Sequence, residues 1–241
     1  MARILILSDI HGNKDALDAV LADAGNVETI WCLGDIVGYG PEPAACLEWV
    51  RKNCAIVLSG NHDYAVFDPV VTESFNPAAA TAAKWTRDQL SASQVAYLRS
   101  LDSRVDRDGV TLAHGSPADP IWTYILTVIE AMEAFESFDG DRCFVGHTHV
   151  ACYYVDDGRT IQRAVAENDV EFGLSEGRYI INPGSVGQPR DRDPRAAYLW
   201  FDPAIGSVMW RRVAYDIPAV QEKILAAGLP ERLARRLETG S

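Results

Sequence analysis

Positive charge is scarce in this sequence. Its 22 Lys and Arg residues are outnumbered by 34 Asp and Glu residues, which leaves a net charge of −12. Tight binding to long nucleic acid or to anionic lipid requires a positive surface, so this balance argues against both partners. The sequence also lacks any apolar run of the roughly 18 residues that a membrane-spanning helix needs, and it begins with an Ile/Leu strand instead of a leader peptide. We therefore expect a cytoplasmic protein with no membrane partner.

Cysteine is also rare, with five residues scattered along a chain of 241. Their odd number and their positions in apolar runs such as IWCLG and RCFVG are typical of free, reduced, structural thiols. Hydrophobic residues make up 48% of the chain, which is enough for one large core. We expect a single α/β domain over residues 1–241, although length alone also allows two smaller domains.

Up to residue 65 the sequence alternates between strand-like and helix-like patterns. The order is RILILS as a strand, KDALDAVLADA as a helix, TIWCLG as a strand, EPAACLEWVRKN as a helix and CAIVLSG as a strand. This βαβαβ order predicts parallel strands that are buried on both faces. Ligands of such sheets bind beyond the carboxyl ends of the strands, where this sequence has polar turns.

The remaining chain predicts further helices and a second sheet. Residues 76–101 have a helical pattern and are expected to form a helical cap over one side of the site. Strand-to-turn junctions recur in GVTLAHGSP and RCFVGHTHV, with a helix around VIEAMEAFESF between them. From Ala151 onward short strand-like runs dominate, and the Asp-Gly pair at 157–158 indicates a hairpin. Near the end, Asp216 is placed to cap a helix that Gly-Leu-Pro at 228–230 interrupts.

Histidine is the most informative residue type, because all five histidines follow an apolar, strand-like run. They are His11, His62, His114, His147 and His149. A single histidine at a strand end is usually a hydrogen-bonded turn residue, but five at equivalent places point to a shared role. Parallel strands would also bring Asp9, Asp35 and Asn61 to the same edge of the sheet. The sequence therefore predicts a cluster of nitrogen and oxygen ligands.

The ligand types in this cluster select the kind of metal. Imidazole and carboxylate groups suit divalent cations such as Mn²⁺, Fe²⁺ or Zn²⁺, whereas a soft thiolate site would require cysteines at these turns. In an extended segment, His147 and His149 point the same way, so they can serve one ion or two adjacent ions. The cluster holds too many ligands for one tetrahedral ion. Two ions bridged by Asp35 account for the number, and such a pair can hold a bridging hydroxide and clamp the oxygens of a phosphorus centre.

Taken in order, the polar turns resemble the motif series of the calcineurin-like metallophosphoesterases. The motifs are Asp9-x-His11, Gly34-Asp35, Gly60-Asn61-His62-Asp63, His114-Gly115 and Gly146-His147-Thr148-His149, at compatible spacings. The resemblance implies a four-layer αββα sandwich of two mixed sheets flanked by helices. It also implies two divalent ions, with manganese expected and iron, nickel or zinc as alternatives. The first ion would take Asp9, His11, Asp35 and His149, and the second would take Asp35, Asn61, His114 and His147.

The resemblance further implies an enzyme that hydrolyses phosphoesters. His62 would bind no metal but would sit beside the substrate, where it stabilises developing charge or protonates the leaving oxygen. Asp35 is assigned a catalytic role as the bridging ligand, and Asn61 is expected to contact the substrate as well as the metal. The segment NPGSVGQPRD resembles the small bacterial and archaeal phosphodiesterase subgroup, which favours a small phosphodiester or nucleotide-like substrate. The sequence leaves the oligomeric state open.

Two other functions are compatible with the same resemblance. The superfamily includes scaffold proteins that keep the fold but have lost the catalytic histidine, so a non-catalytic, metal-binding interaction module is one alternative. His62 and the expected ligands are intact here, which favours the enzyme. A protein phosphatase is the other alternative. In those enzymes the Gly-Asp turn continues with Asp-Arg-Gly, whereas this chain has Gly38 and Tyr39 at those places, so a phosphate-binding arginine has to come from elsewhere.

Arg190 is the predicted phosphate-binding arginine. It ends the segment INPGSVGQPR, where a strand leads into a Gly-Ser turn and Pro189 stiffens the backbone. A guanidinium group holds phosphate oxygens in a fixed orientation better than a point charge does. The alternative for this charged segment is a solvated loop. Trp85, Trp122 and Tyr124 are candidates for a base-stacking pocket, with ordinary core or surface packing as the alternative.

Overall fold

The computed structural model describes residues 3–241, in which an alternating β/α region is followed by helices and then by a long run of strands. The strands are β1 (Ile4–Leu7), β2 (Thr29–Cys32), β3 (Ile56–Val57), β4 (Arg104–Arg107), β5 (Val110–Ala113), β6 (Arg142–Phe144), β7 (Cys152–Asp156), β8 (Ile161–Val165), β9 (Glu171–Gly173), β10 (Arg178–Asn182), β11 (Ala196–Asp202) and β12 (Ser207–Val213). The α-helices are α1 (Lys14–Ala24), α2 (Pro43–Asn53), α3 (Asn61–Phe67), α4 (Pro77–Gln89), α5 (Ala92–Arg99), α6 (Val128–Phe135), α7 (Ile217–Ala226) and α8 (Glu231–Arg235). Short 3₁₀ helices cover Pro69–Ser74 and Arg236–Glu238. The predicted domain also includes residues 1 and 2, which lie outside the described residues.

The predicted βαβαβ unit is present and forms one half of a six-stranded sheet. β1 pairs in parallel with β2, and β2 pairs in parallel with β3, while α1 and α2 make the connections. On its other side β1 pairs antiparallel with β11, so that the order is β3-β2-β1-β11-β12-β9. The sheet is therefore mixed. The strands from the beginning of the chain are parallel to one another, and the strands from its end join them in antiparallel pairs.

The second six-stranded sheet has the order β4-β5-β6-β10-β7-β8. Its strands β5, β6 and β10 are parallel, and the outer strands pair antiparallel. The hairpin predicted at residues 157–158 joins β7 to β8. Two mixed sheets flanked by helices confirm the predicted αββα class. The late strands are divided between the sheets, however, since β7, β8 and β10 belong here and β9, β11 and β12 belong to the first sheet.

Side-chain alternation in β1 explains why the two sheets stack face to face. All residues of this strand are buried. Ile4 and Ile6 pack between the sheets, together with Phe144 of the second sheet, whereas Leu5 and Leu7 join the core beneath α1 and α2. Successive side chains of a strand point to opposite faces, so one apolar run supports two cores. Each fully buried Ile or Leu side chain contributes on the order of 1.5–3 kcal/mol to stability.

Helix α6 covers the outer face of the second sheet and completes the four layers. Its residues Ala131, Ala134 and Phe135 pack on Cys143 and Ile180 of the sheet. All five cysteines of the chain are free, and four of them are buried, in agreement with a structural role.

The predicted helical cap region, residues 76–101, contains α4 and α5 and lies next to the polar strand ends. Both helices pack against α3. The C-terminal helices α7 and α8 pack on α4 through an apolar cluster that includes Ala79 and Tyr39. The predicted cap of α7 is present, because Oδ1 of Asp216 accepts a hydrogen bond from the N–H of Ala219 at 3.0 Å. Among the described helices, none has the length and the apolar composition needed to span a membrane.

Candidate metal centre

Strand ends from both sheets converge and carry the predicted site residues. These are Asp9 and His11 after β1, Asp35 after β2, Asn61 and His62 at the start of α3, His114 after β5, and His147 and His149 after β6. All of them are buried. The sequence pattern suggested a single sheet edge, but the histidines after β5 and β6 belong to the second sheet. The site therefore depends on the packing of one sheet against the other.

Several of the converging residues have a left-handed backbone. The φ angle is 53° at Asp9, 49° at His11, 51° at Asp35, 65° at His147 and 60° at His149. Residues other than glycine rarely occupy this region, and strained residues of this kind concentrate at functional sites. The neighbouring Gly60 has to lack a Cβ atom, because a Cβ there would overlap the carboxylate of Asp35. These left-handed backbone conformations thus indicate a functional site where the strand ends meet.

One group of potential ligands consists of Asp9, His11, Asp35 and His149, whose ligand atoms all lie within 4.8 Å of one another. Nε2 of His149 lies 3.1 Å from Nε2 of His11 and 3.3 Å from Oδ1 of Asp9. Oδ2 of Asp35 lies 3.5 Å from Nε2 of His11. Ligand atoms at these separations surround a point where one cation can bind. These are the residues that the family resemblance assigns to the first ion.

A second group shares Asp35 with the first. It consists of Asp35, His114 and His147, again with ligand atoms within 4.8 Å of one another. Oδ2 of Asp35 lies 3.5 Å from Nε2 of His114, which lies 3.1 Å from Nδ1 of His147. Asn61, the fourth ligand expected for the second ion, borders the same cavity as His147, and its Oδ1 atom is buried. The clustered residues can thus bind two metal ions, with Asp35 facing both groups.

Each of the four histidines in these groups has its second ring nitrogen against a backbone carbonyl. The pairs are Nδ1 of His11 with the carbonyl of Val37 (3.1 Å), Nδ1 of His114 with Leu33 (2.9 Å), Nδ1 of His149 with Gln188 (2.6 Å), and Nε2 of His147 with Trp122 (3.2 Å). Because a carbonyl oxygen only accepts hydrogen bonds, these nitrogens carry a hydrogen, and the other nitrogen of each ring is the one that faces the ligand groups. The backbone therefore orients all four rings as metal ligands, as is common around protein-bound metals.

Burial dominates the ionisation of the site. It raises the pKa of Asp9 to about 7, and it lowers the pKa of His62 to about 4 and that of His147 to about 3. His114 differs, because the adjacent carboxylate of Asp35 outweighs burial and raises the pKa of this imidazole to about 9. Unpaired charge is thus unfavourable here unless a group of opposite charge lies next to it.

Buried oxygen atoms without hydrogen bonds provide a test of whether these residues suit a cation. Oδ1 of Asp9, Oδ2 of Asp35 and Oδ1 of Asn61 are buried and accept no hydrogen bond from the described residues. Buried oxygens of this kind are costly when unpaired, and such groups in proteins are hydrogen-bonded or coordinate metals. The donor set of imidazole nitrogens, carboxylates and an amide oxygen therefore fits divalent cations.

Asp63 is a site residue that the sequence reasoning did not single out. Its buried carboxylate accepts hydrogen bonds from the N–H groups of Ile36 (3.2 Å), Val37 (3.1 Å) and Gly60 (3.0 Å). These bonds tie the turn after β2, which carries Asp35, to the start of α3. An acidic residue in the third position of a helix is a known N-terminal signal, so the sequence did contain an indication of this role.

His62 lies between the potential ligands and a set of aromatic side chains. Its backbone N–H donates to Oδ1 of Asp35 at 2.8 Å, and its ring centroid lies 4.9 Å from that of His11. Tyr39 and Phe75 flank the ring at centroid distances of 4.3 and 4.9 Å. The imidazole is therefore held beside the ligand groups without belonging to either of them.

The glycine at position 38 is explained by its close approach to His62. Gly38 has a φ of 88°, and a Cβ atom there would lie 2.6 Å from Nδ1 of His62. No side chain fits at this position. In the family's protein phosphatases the resemblance implies an Asp here that orients the catalytic histidine, and this chain cannot place one. The backbone conformation at residue 38 and its contact with His62 thus explain why this chain has glycine where the family's protein phosphatases have Asp.

Arg190 lies beside the first ligand group. Its backbone N–H donates to the carbonyl of His149 at 3.1 Å. Its Nη2 donates to Oε1 of Gln188 at 3.1 Å and lies 3.5 Å from the hydroxyl of Tyr39. Nε is buried and makes no hydrogen bond within the described part of the chain. The guanidinium therefore retains an N–H group that no acceptor in the described part of the chain pairs with.

A cavity of about 450 Å³ opens beside the second ligand group. It is lined by Asn61, His62 and His147, by the aromatic residues Tyr39, Phe75, Trp122 and Tyr124, and by Ser74, Asn76 and Ala79. Two of the three aromatic candidates from the sequence, Trp122 and Tyr124, thus reach the site. Trp85 does not, because it packs against the apolar cluster of α4, α7 and α8.

An αββα sandwich with clustered Asp and His residues at its strand ends defines the class of the metallophosphoesterases. Residues 2–203 match the model of the calcineurin-like phosphoesterase superfamily domain. The chain therefore belongs to this superfamily, as the order of the motifs predicted.

Three similar proteins match nearly the whole length of the chain. A metallophosphoesterase from Sphaerobacter thermophilus has a crystal structure that covers 100% of this chain and 99% of its own, with 47% identity and a TM-score of 0.92. The uncharacterized protein MJ0912 of Methanocaldococcus jannaschii is 38% identical over 246 residues, or 98% of each protein. The hypothetical protein PH1004 from Pyrococcus horikoshii shares the fold, with a TM-score of 0.78 at 21% identity over 100% of this chain and 99% of its own.

Proposed function

We propose that this chain is a dinuclear, metal-dependent phosphoesterase that hydrolyses a small phosphodiester or nucleotide-like phosphoester. The observation that carries the proposal is the position of Asp35, whose Oδ2 lies 3.5 Å from Nε2 of both His11 and His114. One carboxylate that faces two groups of imidazoles suits two adjacent ions. Membership of the superfamily supports phosphoester hydrolysis as the reaction class.

The chain's own residues orient the reactants. Two divalent ions held by the two ligand groups would supply Lewis acidity and would activate a water for attack on phosphorus. His62 borders the cavity, and its imidazole donates either a hydrogen bond to a phosphoryl oxygen or a proton to the leaving oxygen. Arg190, next to the first ligand group, holds the non-bridging oxygens through its planar guanidinium. Asn61, at the border of the cavity, would help to hold the second ion and would face the substrate.

The surroundings of the site support a small substrate. A cavity of about 450 Å³ has the size of pockets that enclose small molecules, which are on the order of 300–1,000 Å³. Gly38 and Tyr39 replace the Asp and Arg of the family's protein phosphatases, so a phosphoprotein is a poorer candidate. Manganese is the ion we expect, and the same ligands also suit iron, nickel and zinc.

The test is metal-dependent turnover of a generic diester. Metal-stripped protein is reconstituted with Mn²⁺, Ni²⁺, Zn²⁺ or Mg²⁺ in turn and assayed with bis(p-nitrophenyl) phosphate, p-nitrophenyl phosphate and a set of nucleotides. We expect turnover of the diester with at least one ion, and loss of turnover with a chelator or in Asp9→Asn. Asp108→Asn is the matched control, since Asp108 lies in the turn between β4 and β5 with a side chain that is 87% exposed.

Two outcomes would contradict the proposal. Stable binding of two ions without turnover of any ester would instead support the non-catalytic interaction module. Purified protein that takes up no divalent ion would contradict both functions and leave the histidines as turn residues.

A further inference from the structure

The cavity beside the second ligand group has a composition that metal binding does not explain. Its described lining includes four aromatic side chains and no lysine, arginine, aspartate or glutamate. Beyond the site residues Asn61, His62 and His147, its polar members are Ser74, Asn76 and the hydroxyls of two tyrosines. Among these lining residues a second phosphate or a charged peptide side chain finds no opposite charge, and the guanidinium of Arg190, next to Tyr39, is assigned to the phosphate at the ligand groups. An uncharged ring would find both aromatic surface and neutral hydrogen-bonding groups.

The four aromatic side chains of the cavity are not equivalent. Tyr124 stacks on the imidazole of His147, with centroids 3.7 Å apart and an interplanar angle of 14°, so one of its faces is already occupied. Tyr39 and Phe75 flank the ring of His62. Each of these three rings therefore contacts a histidine of the centre, and within the described residues Tyr124 keeps one face free.

Trp122 differs from these three rings because no contact between its indole and a histidine of the centre is present in the described part of the chain. It touches Tyr64 edge to face, at a centroid distance of 5.7 Å and an angle of 76°, which covers at most one face of the indole. The residue remains 38% exposed although it lines the cavity. Its backbone is fixed, because its carbonyl lies 3.2 Å from Nε2 of His147. The chain thus presents a partly exposed indole, on a backbone that contacts His147, at the edge of the site.

We propose that this cavity binds the base of a nucleoside phosphoester, stacked on the indole of Trp122, while the phosphate lies at the two ligand groups. A base is joined to its phosphate through a ribose, so it reaches past the ligands to the cavity wall, and about 450 Å³ accommodates both sugar and base. Stacking on an aromatic side chain tolerates any base, because every base has a π-face. This inference rests on the proposed phosphoesterase function and specifies its substrate class.

The experiment compares ligands that share a phosphate but differ in what it carries. Binding of adenosine 5′-monophosphate, ribose 5-phosphate and phenyl phosphate to the Mn²⁺-reconstituted protein is measured by titration calorimetry, with chromatography to confirm that each ligand stays intact. We expect the nucleotide to bind on the order of tenfold more tightly than ribose 5-phosphate, as one base–aromatic stack provides. Trp122→Ala should remove most of this preference, and Trp122→Phe should keep part of it.

Ile129→Ala is the matched control. Like Trp122, Ile129 lies between β5 and β6, but it is 67% exposed and does not line the cavity. Equal binding of the nucleotide and ribose 5-phosphate to the unaltered protein would overturn the inference, even if diesters are hydrolysed. Phenyl phosphate that binds as tightly as the nucleotide would show that a simple aryl group suffices, which also overturns it. If the protein hydrolyses no ester but still prefers the nucleotide, and if that preference depends on Trp122, the inference about the cavity holds and the proposed phosphoesterase function is wrong.

Discussion

The guanidinium of Arg190 lies against Tyr39, with Nη2 3.5 Å from the tyrosine hydroxyl and the guanidinium carbon 5.8 Å from the ring centroid. Tyr39 occupies the position at which the family's protein phosphatases are expected to carry their phosphate-binding arginine. In this chain a guanidinium approaches the same place from a segment 151 residues further along the sequence. The tyrosine supports the arginine by hydrogen bonding and by cation–π contact.

Arg190→Ala should therefore raise the KM of the diester several-fold while the metal content stays unchanged, because the guanidinium orients the substrate and binds no ion. Arg190→Lys should recover only part of the loss, since an ammonium group lacks the planar fork. Steady-state kinetics and elemental analysis measure the two quantities. Arg107→Ala, at a side chain that is 68% exposed, is the control and should change neither. An unchanged KM in Arg190→Ala would place this arginine outside the substrate site.

Asp35→Ala should reduce the metal content well below two ions per chain, because this carboxylate faces both ligand groups. Asn61→Ala should weaken mainly the second ion, since Asn61 borders the same cavity as His147 of that group. Elemental analysis after gel filtration compares the two variants with the unaltered protein. Two retained ions and normal activity in Asp35→Ala would show that the carboxylate does not bridge them.

His62→Ala should keep its metal while kcat falls on the order of 100-fold or more, as is typical when a proton donor or a charge-stabilising group is removed. If the imidazole protonates the leaving oxygen, the loss should be smaller for p-nitrophenolate than for an alkoxide, because the former needs little protonation. Rates for esters with good and poor leaving groups distinguish the two roles. Equal losses of kcat for good and poor leaving groups would show that His62 stabilises charge and does not donate a proton. An unchanged kcat would show that His62 takes no part in the reaction.

Asp63→Asn should destabilise the fold by about 1–3 kcal/mol, because a carboxylate that accepts three backbone hydrogen bonds becomes an amide with one acceptor oxygen. A loss of this size lowers the melting temperature of a chain of this length by several degrees. Thermal unfolding measures the effect, with Asp108→Asn as an exposed control. A melting temperature that matches the control would show that these bonds do not hold the turn after β2 to α3.

The elements that could be predicted from the sequence are those with local causes. Apolar runs and helical spacing identified β1, α1, β2, α2 and β3, and the Asp-Gly pair at 157–158 identified a hairpin, because periodicity and turn chemistry act between neighbouring residues. The partner of β1 on its other side could not be predicted in this way. β11 is distant in sequence, since Ile4 of β1 pairs with Phe201 of β11. Which strand pairs with β1 there depends on how the strand faces are buried in the folded chain.

For the site, the sequence alone determined the chemistry: the types of ligand, their order, and the shared carboxylate of Asp35. It did not determine how the ligands are held. The left-handed turns, the carbonyl of Gln188 that orients His149 from 39 residues away, and the contact between Arg190 and Tyr39 are features of the folded chain. Ligand identity is a property of single residues, whereas orientation depends on backbone groups that are distant in sequence, and only the tertiary structure brings those groups together.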